Sequence, residues 1–301
     1  MMKYKTLSNT GVRISAIGLG AMPLSLEGRP DEEQAIQVIH KALDLGVNLI
    51  DTADSYCIDE NDKHHNEKLI AKALSLYRGN FGGSVNSIRD VVVATKGGLL
   101  RPDGDWVVHG EPGHIRRTIR ESFDALGGFH PIPLWQLHAV DPKYSIESTF
   151  VPIKEAFDMG LIKHVGVSNF SVEQIARAMK IVPIVSVQNQ HNPWQRNPEF
   201  DGVLEFCEKN NLIFLPWSPV GGHYRYKRLL EIKPLTDLAE TKNCTVFSLI
   251  LAWLRNKSPC VVPIPGASRV SSIENSVSSL NVTLTRQEMN QIDEITKNLK
   301  L

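Results

Sequence analysis

Short, almost uninterrupted runs of apolar residues recur along the chain, separated by longer stretches of mixed polarity. Runs that are apolar on both faces are typical of parallel strands whose two sides are both buried. The pattern predicts a strand in each of the ranges 14–20, 47–51, 90–95, 132–138, 162–168, 184–188, 212–217 and 260–265.

Amphipathic stretches with helical spacing lie between these runs. In the first, Asp31 marks a helix start and Gly46 marks its end. Ser171 is placed to cap a later helix, and two helices over about 228–241 and 245–256 are expected between the last two strands. The predicted buried face of the first helix consists of Ala35, Val38, Ile39, Ala42 and Leu43.

Strands that alternate with helices predict an α/β fold, and eight of them favour a (β/α)8 TIM barrel. A doubly wound open sheet is the alternative that the pattern leaves open. Residues 3–15 precede the first barrel strand and are expected to form a short hairpin that caps the barrel bottom. No linker or break in composition divides the chain, so we expect residues 1–301 to form a single domain.

The composition is that of an ordinary globular protein, with 42% hydrophobic and 22% charged residues. Lys plus Arg and Asp plus Glu each number 33, and this zero net charge argues against nucleic acid as a partner. No segment resembles a signal peptide or reaches the roughly 18 apolar residues of a membrane span. No heptad or apolar seam defines an oligomeric state. Cytoplasmic free thiols are expected at the scattered Cys57, Cys207, Cys244 and Cys260.

Polar residues appear where the predicted strands run out. Asp51 ends the second strand, with Tyr56 five positions on, while Lys96 follows the third strand and His138 the fourth. Each one alone is most often a cap or a packing residue, although a buried lysine is rare unless it is paired. The carboxyl ends of barrel strands share one face, so the four side chains are expected to converge there.

These four groups suit the reduction of a carbonyl. A tyrosine is a weak acid at neutral pH, and a neighbouring lysine cation is expected to lower its pKa. Asp51 would keep Lys96 charged, and His138 would orient the carbonyl oxygen. General acid catalysis by Tyr56 would contribute roughly 10²–10⁴ in rate, while the hydride must come from a cofactor.

Familiar cofactor and metal motifs are missing from the sequence. GLGAMP at 18–23 has Pro23 where a dinucleotide fingerprint needs its third glycine. Neither GxxxxGK[ST] nor HExxH occurs, and His64-His65 lack further ligands at a suitable spacing. No metal is therefore expected.

Seven segments resemble the aldo-keto reductase family, and they occur in the family's order at successive strand ends. They are VNLIDTADSY, VVVATKGG, LWQLHAVDP, HVGVSNFS, VSVQNQHN, LPWSPVGG and VVPIPGAS. The resemblance runs from about residue 3 to about residue 295. It implies a (β/α)8 barrel that binds NADP(H), or less often NAD(H), in an extended pose without a Rossmann domain.

The resemblance also implies residue roles. Asp51, Tyr56, Lys96 and His138 match the family's catalytic tetrad, in which Tyr56 would be the general acid. The residues that match the nicotinamide carboxamide site are Ser168, Asn169 and Gln188, Trp217 matches the ring that stacks on nicotinamide, and Ser218, Pro219, Val220 and Gly221 match the loop near the pyrophosphate.

The adenosine end departs from the family pattern. Ser272 stands where Arg or Gln is usual, and Asn275-Ser276 stand where Glu-Asn is usual, unless a shift of one residue returns Asn275 to the family's Asn. We expect Arg269 to replace the missing arginine at the 2′-phosphate of NADPH, while NADH stays open as the alternative. The residues matched at this end are Gly266, Ser268, Arg269, Ser272, Asn275 and Ser276.

The expected function is the NADPH-dependent reduction of an aldehyde or ketone to an alcohol. The alternative is a nucleotide-sensing regulatory subunit, because tryptophan at position 217 resembles the potassium-channel β-subunits, but the complete tetrad favours an enzyme. The substrate is not defined by the sequence. Candidates for an apolar pocket wall are Trp106, Trp135 and Trp194, and Cys57 beside Tyr56 is a candidate for oxidation.

Overall fold

Parallel strands form a curved sheet that follows the order of the chain in the computed structural model. The structure describes residues 2–128, 130–297 and 299, apart from the side chains of His223 and Tyr224. Neighbouring strands of the sheet follow the order β3-β4-β5-β8-β9-β10-β11. The strands are β1 (Tyr4–Thr6), β2 (Arg13–Ser15), β3 (Leu19–Gly20), β4 (Leu49–Asp51), β5 (Val92–Gly97), β6 (Leu99–Leu100), β7 (Val107–Val108), β8 (Leu134–Leu137), β9 (Val165–Ser168), β10 (Ile184–Gln188) and β11 (Ile213–Phe214).

The eighth predicted strand, residues 260–265, closes the sheet without forming a regular ladder. On one side Phe214 N donates to Cys260 O at 3.0 Å, and on the other Gly20 N donates to Pro265 O at 2.9 Å. Pro263 and Pro265 have no N–H to donate, so only isolated bridges form where a strand was expected. The closure confirms the barrel and excludes the open sheet.

The first predicted strand is split between the barrel and an amino-terminal hairpin. Residues 13–15 pair with 4–6 in β1 and β2, and the barrel strand begins only at Leu19. Gly20 then passes so close to the closing segment that a Cβ there would lie 2.7 Å from Ile264 O. The glycines of GLGAMP therefore serve barrel closure.

The hairpin covers the bottom of the barrel, as the sequence predicts. Leu7 and Ile14 pack against the first residues of the barrel strands, among them Leu49, Val92 and Leu134. Lys5 Nζ donates to Pro259 O and to Val261 O, at 2.5 and 2.9 Å. The bottom of the barrel is therefore a packed core, and the open end lies at the carboxyl ends of the strands.

Helices cover the outside of the barrel. The first has Asp31 as its N-cap, accepting from Gln34 N at 2.8 Å, and it buries the face predicted from the sequence. Ser171 caps the helix Val172–Met179 as predicted, while the helix Lys233–Thr241 starts later than predicted because residues 226–231 form a 3₁₀ turn. The helices are α1 (Glu32–Asp44), α2 (His65–Leu76), α3 (Pro112–Ala125), α4 (Ile146–Asp158), α5 (Val172–Met179), α6 (Val203–Lys209), α7 (Gly222–Arg225), α8 (Lys233–Thr241), α9 (Val246–Arg255), α10 (Val270–Ser278) and α11 (Arg286–Lys297).

Among the described residues, no helix is both long enough and apolar enough to cross a membrane.

A network of charged side chains around Glu199 joins three parts of the fold behind β10 and α9. Glu199 accepts from His191 Nε2 at 2.9 Å, from Arg196 Nη2 at 2.8 Å and from Lys257 Nζ at 2.8 Å. Burial favours the neutral acid, yet these donors hold the pKa of Glu199 well below its usual range. Lys257 also contacts Asp293 of α11, so Glu199 anchors the last helix.

We predict that Glu199→Gln lowers the free energy of unfolding by about 3 kcal/mol, because it removes a carboxylate from the partly buried cations Arg196 and Lys257 and leaves them only Asp293. Urea unfolding at pH 7 measures the loss. Glu205→Gln is the matched control, since Glu205 pairs with Lys209 at the exposed surface and its removal should cause no resolvable change. Equal effects of the two substitutions would contradict this account of the network.

Candidate active site

The structure brings Asp51, Tyr56, Lys96 and His138 together at the open end of the barrel. Lys96 Nζ lies 2.8 Å from Asp51 Oδ1 and donates to the Tyr56 hydroxyl at 2.8 Å. The rings of Tyr56 and His138 meet edge-on with their centroids 5.9 Å apart. Four side chains from three strand ends and one loop thus share one small volume, as the sequence predicts.

The register of the sheet sets the contact between Lys96 and Asp51. Asp51 ends β4 opposite Ala94 of β5, and Lys96 is the next residue of β5 whose side chain points to the same side. Lys96 is fully buried and also donates to Thr52 O at 2.8 Å. Burial lowers the pKa of Lys96, and the carboxylate of Asp51 acts in the opposite direction.

The pKa of Tyr56 differs from the sequence-based expectation. Burial, with the Asp51 carboxylate adding to it, raises the pKa of Tyr56 well above 10. The expectation that Lys96 lowers this pKa is therefore wrong for the net effect, because loss of solvation and the neighbouring anion dominate. At neutral pH the hydroxyl keeps its proton, which suits a proton donor.

His138 is held neutral in the same volume. Burial lowers the pKa of His138 well below 6.5, and the Lys96 cation adds to this shift. Its Nδ1 lies 3.5 Å from Ser55 Oγ, and its backbone N–H donates to Gly97 O at 2.9 Å. A neutral imidazole with Nδ1 turned towards the protein can offer Nε2 to a carbonyl oxygen at the barrel mouth.

The residues matched to the nicotinamide carboxamide lie beside this group. Gln188 Nε2 donates to Asp51 Oδ1 at 2.8 Å, which leaves its amide oxygen as an acceptor. Ser168 Oγ donates to Gln188 O at 2.9 Å, and Asn169 Nδ2 donates to His138 O at 3.0 Å. Hydrogen bonds therefore connect the ends of β4, β8, β9 and β10 around the mouth.

Trp217 presents a half-buried indole at the same mouth. Its Nε1 donates to Asn169 Oδ1 at 3.0 Å, which fixes the ring beside the carboxamide residues. Asn169 has a φ of 61°, a left-handed conformation that asparagine tolerates better than most residues. The backbone at this point is therefore shaped to present Asn169 to Trp217 and His138.

The loop matched to the pyrophosphate follows directly. Ser218 O accepts from Asn192 Nδ2 at 3.1 Å, and Gly221 N donates to Ser218 O at 2.9 Å. Gly221 has a φ of 96°, and a Cβ there would lie 2.6 Å from the Trp194 ring. Trp194 is buried beneath this loop, so its role is packing. Pro219 is buried and Val220 is half-buried between the two ends of this turn.

The residues matched to the adenosine end lie at the start of α10. Arg269 is exposed at the N-cap position of this helix, and its guanidinium forms no hydrogen bond or ion pair with a described residue. Ser268 O accepts from Gln34 Nε2 at 2.7 Å, and Gly266 is exposed. An exposed guanidinium beside the free N–H groups of a helix is a suitable place for a phosphate.

The other matched residues of α10 are bound within the protein. Asn275 Oδ1 accepts from Thr245 Oγ1 at 2.9 Å and from Ser248 Oγ at 2.5 Å. Ser276 is buried, and its Oγ donates to Ser272 O at 2.9 Å. The side chain of Asn275 thus joins α10 to α9, and that of Ser276 is engaged within α10.

Of the three tryptophans considered for the pocket wall, only Trp106 lies at the mouth. Its ring is 45% exposed, with centroids 6.3 Å from Tyr56 and 6.4 Å from His138. Trp135 is fully buried among core residues between the sheet and the helices. The loop that carries Trp106 folds into the β6–β7 hairpin around Asp103-Gly104, and this Asp-Gly pair is the turn signal in the sequence that could have predicted the hairpin.

Arg101 secures the loop that follows Tyr56. Its Nε donates to Cys57 O and its Nη2 to Ile58 O, both at 3.3 Å, while its guanidinium lies 3.9 Å from the Trp106 ring centroid. Cys57 is fully buried, and burial raises the pKa of its thiol to about 12. A buried, protonated thiol is a poor target for oxidation, so the structure favours a packing role for Cys57.

Two further carboxyl groups, Asp54 and Glu67, are fully buried behind β5 and were not singled out from the sequence. Asp54 Oδ2 accepts from Thr118 Oγ1 and Glu67 Oε1 accepts from Thr95 Oγ1, both at 2.5 Å. The only signal in the sequence that could have indicated this pair is the position of Asp54 within the motif DTADSY. Among the described residues, no group of three or more His, Cys, Asp or Glu side chains could hold a metal ion.

Comparisons with known proteins identify relatives of this chain. The sequence model of the Aldo/keto reductase family matches residues 16–297. An uncharacterized oxidoreductase of Schizosaccharomyces pombe, C215.11c, is 34% identical over 289 residues, which cover 93% of this chain and 86% of that protein. The chain belongs to the aldo-keto reductase family, and its family and this relative support a general oxidoreductase function.

Solved structures show the same fold. A thermostable aldo-keto reductase, Tm1743, in complex with the inhibitor epalrestat, is 29% identical with a TM-score of 0.79, covering 98% of this chain and 100% of that chain. The glycerol dehydrogenase AKR11B4 of Gluconobacter oxydans is 24% identical with a TM-score of 0.82, covering 97% and 94%. The second likeness supports the barrel fold alone.

We predict that Asp54 makes the protein less stable as the pH rises from about 4 to about 6. Burial raises the pKa of Asp54 to about 6, opposed by the nearby Lys63 cation, whereas in the unfolded chain it is about 3.9. Between these values the folded state holds the extra proton, so the unfolding free energy falls by about 3 kcal/mol. Urea unfolding at pH 4 and pH 7, wild type against Asp54→Asn, measures this. A stability difference between the two proteins that does not change with pH would contradict the assignment.

Proposed function

We propose that this protein is an NADPH-dependent reductase that converts an aldehyde or ketone to an alcohol, with Tyr56 as the general acid. The observation that carries the proposal is the contact between Tyr56 and Lys96. The hydroxyl lies 2.8 Å from a buried ammonium that is itself 2.8 Å from a carboxylate. Buried lysines are rare unless they are paired, and buried ionisable groups with shifted pKa values cluster at functional sites.

The proton is held at the Tyr56 hydroxyl before the reaction. The pKa of Tyr56 is raised, so the group is protonated at neutral pH and a reaction must draw the proton from it. When the hydroxyl gives up its proton, the phenolate that remains lies against Lys96 Nζ, which favours the anion in a site with little water. Asp51 keeps Lys96 oriented towards the hydroxyl.

His138 and Trp106 bound the place where a substrate carbonyl would lie. The neutral imidazole of His138 offers an N–H to the carbonyl oxygen, which directs that oxygen towards Tyr56. Trp106 supplies an exposed apolar ring on the same side. A small aldehyde or ketone with an apolar substituent suits this combination.

The residues at the mouth fit a nicotinamide cofactor, which when bound supplies the hydride that no side chain can provide. Trp217 would stack on the nicotinamide ring, and Ser168, Asn169 and the amide oxygen of Gln188 would bind its carboxamide. Ser218 to Gly221 would lie along the pyrophosphate. Gly266, Ser268, Arg269 and Ser272 would line the adenosine end. Asn275 and Ser276, which the sequence also matches to this end, have their side chains engaged within the protein.

Arg269 supports NADPH over NADH. It is exposed at the start of α10, and a guanidinium binds a phosphate dianion through two parallel hydrogen bonds. The free thiols Cys57, Cys207, Cys244 and Cys260 support a reducing compartment, and we propose the cytoplasm.

We predict that Tyr56→Phe lowers turnover with a reactive aromatic aldehyde by about 10²–10⁴-fold, because the proton donor is lost. NADPH consumption at 340 nm measures the rate. Binding of NADPH, followed by protein fluorescence, should be unchanged within about twofold, since the ring is retained.

Tyr77→Phe is the matched control for this substitution. Tyr77 is also a buried tyrosine bonded to a carboxylate, with its hydroxyl 2.6 Å from Asp44 Oδ1, but it lies far from the barrel mouth. Its loss should leave turnover unchanged. Equal turnover in wild type and Tyr56→Phe would refute the assigned role of Tyr56.

We predict that Arg269→Gln raises the Kd for NADPH by about 10- to 100-fold, because charge-assisted hydrogen bonds to the 2′-phosphate are lost. NADH lacks this phosphate, so its Kd should change less than about twofold and provides the control. Fluorescence titration with both cofactors measures the two values. An equal change for NADH and NADPH would show that Arg269 does not read the phosphate.

A further inference from the structure

We propose that Asp54 and Glu67, which are buried outside the barrel wall behind β5, are positioning residues that sustain the positive charge of Lys96. Through Lys96 they would set the upper pH limit at which Tyr56 donates its proton. This inference rests on the proposed function, because it assigns a regulation of the same proton donor.

The two faces of β5 place these groups around Lys96. Successive side chains of a strand point to opposite faces, so Lys96 points into the barrel while Thr95 points out towards the helices. Glu67 of α2 accepts the Thr95 hydroxyl at 2.5 Å. A carboxylate therefore lies directly behind the backbone that carries Lys96.

Asp54 approaches the same backbone from the loop after β4. Its backbone N–H donates to Lys96 O at 3.0 Å. The loop that carries Tyr56 is therefore hydrogen-bonded to the backbone of Lys96, whose side chain contacts the Tyr56 hydroxyl. Its side chain turns outwards and accepts from Thr118 of α3 at 2.5 Å. Its other carboxylate oxygen, Oδ1, is buried and has no hydrogen-bond partner among the described residues.

The environment of Lys96 requires such carboxylates. Burial lowers the pKa of Lys96, whereas Asp51, Asp54 and Glu67 all act to raise it. Asp51 is the carboxylate in direct contact, and it is shared with Gln188 Nε2. The remaining titratable groups that face Lys96 inside the barrel are Tyr56, at 2.8 Å, and His138, which is held neutral.

Lys63, and His64 when it is protonated, limit the effect of the two acids without cancelling it. Lys63 Nζ lies 3.6 Å from Asp54 Oδ2, and His64 Nδ1 lies 2.6 Å from Glu67 Oε2. Both acids act to raise the pKa of Lys96 in the presence of these cations. The other titratable groups that face this cluster are His109 and His114, whose rings lie 4.6 Å apart, and Glu121, 3.5 Å from His64 Nε2.

Two buried acids are a costly choice for a structural role alone. A threonine hydroxyl can also donate to a neutral amide oxygen, and a buried acid without full hydrogen bonding costs stability. Because burial raises the pKa of Asp54 only to about 6, the group is an anion in the alkaline range where a lysine loses its proton. Asp54 is thus negatively charged in the pH range in which Lys96 would otherwise lose its proton.

The experiment compares the pH dependence of kcat/KM for the reduction of an aromatic aldehyde by NADPH. The proteins are wild type, Asp54→Asn and Glu67→Gln, with Glu121→Gln as the control. Glu121 is also an acid of this cluster, but its side chain is 51% exposed and screened by water. All four are checked for thermal unfolding and NADPH binding, so that a folding defect in one buried variant leaves the other to carry the test.

We expect the alkaline limb to move to lower pH by about half a unit to one unit in each buried variant. A unit charge roughly 10 Å away, at an effective dielectric constant of about 20, displaces a pKa by about one unit. The Glu121→Gln limb should stay within about 0.2 units of wild type. Lower rates with an unmoved alkaline limb in Asp54→Asn and Glu67→Gln would overturn the inference, because a purely structural role lowers the rate at every pH.

A second measurement does not depend on turnover. In a double-mutant cycle of Asp54→Asn and Lys96→Met, the unfolding constants at pH 8 should show a coupling of about tenfold, equal to one pKa unit. Additive effects would overturn the electrostatic link. If the cycle shows this coupling but the wild-type protein reduces no carbonyl, the proposed function is refuted while the charge assignment is supported.

Discussion

A fully buried lysine must be neutralised where it lies, and this constraint shapes the open end of the barrel. The ammonium of Lys96 reaches Asp51 only because β4 and β5 pair in a register that sets Asp51 opposite Ala94. Removing either partner would leave an isolated buried charge, which is costly in a protein interior. The strand pairing, the loop to Tyr56 and the hydrogen bond from Gln188 all serve this pair. The barrel therefore supplies a site whose geometry is fixed by the sheet itself.

The same constraint links stability to chemistry. Burial keeps the proton on Tyr56 and the imidazole of His138 neutral, so both groups are ready to act at neutral pH. The acids behind β5 add a second layer of charge, in which Asp54 keeps its proton until about pH 6. Such buried, incompletely bonded groups are expected where function, and not stability, determines the residue. The apolar core that stabilises the barrel lies at its other end, where the hairpin covers the bottom.

Local patterns predicted much of the fold. The start, end and buried face of α1, the Ser171 cap and the hairpin all follow from residue spacing and capping preferences. The eighth strand did not form as predicted, because apolar periodicity does not register the two missing N–H groups of Pro263 and Pro265. The convergence of polar residues at strand ends was predictable from barrel geometry. The direction of the Tyr56 pKa shift was not, since it depends on the depth of burial and on the Asp51 carboxylate beside the hydroxyl.

The central claim is that Asp51 and Lys96 act as one unit on the proton of Tyr56. The most direct test measures kcat/KM for Asp51→Asn, Lys96→Met and the double variant with an aromatic aldehyde and NADPH. Residues that act as a unit lose activity non-additively. The account predicts that the double variant is no less active than Lys96→Met alone, because Asp51 assists the reaction only by holding the lysine, and its direct effect on Tyr56 is to raise the pKa of the hydroxyl. Losses that multiply in the double variant would contradict it and would require an independent role for Asp51.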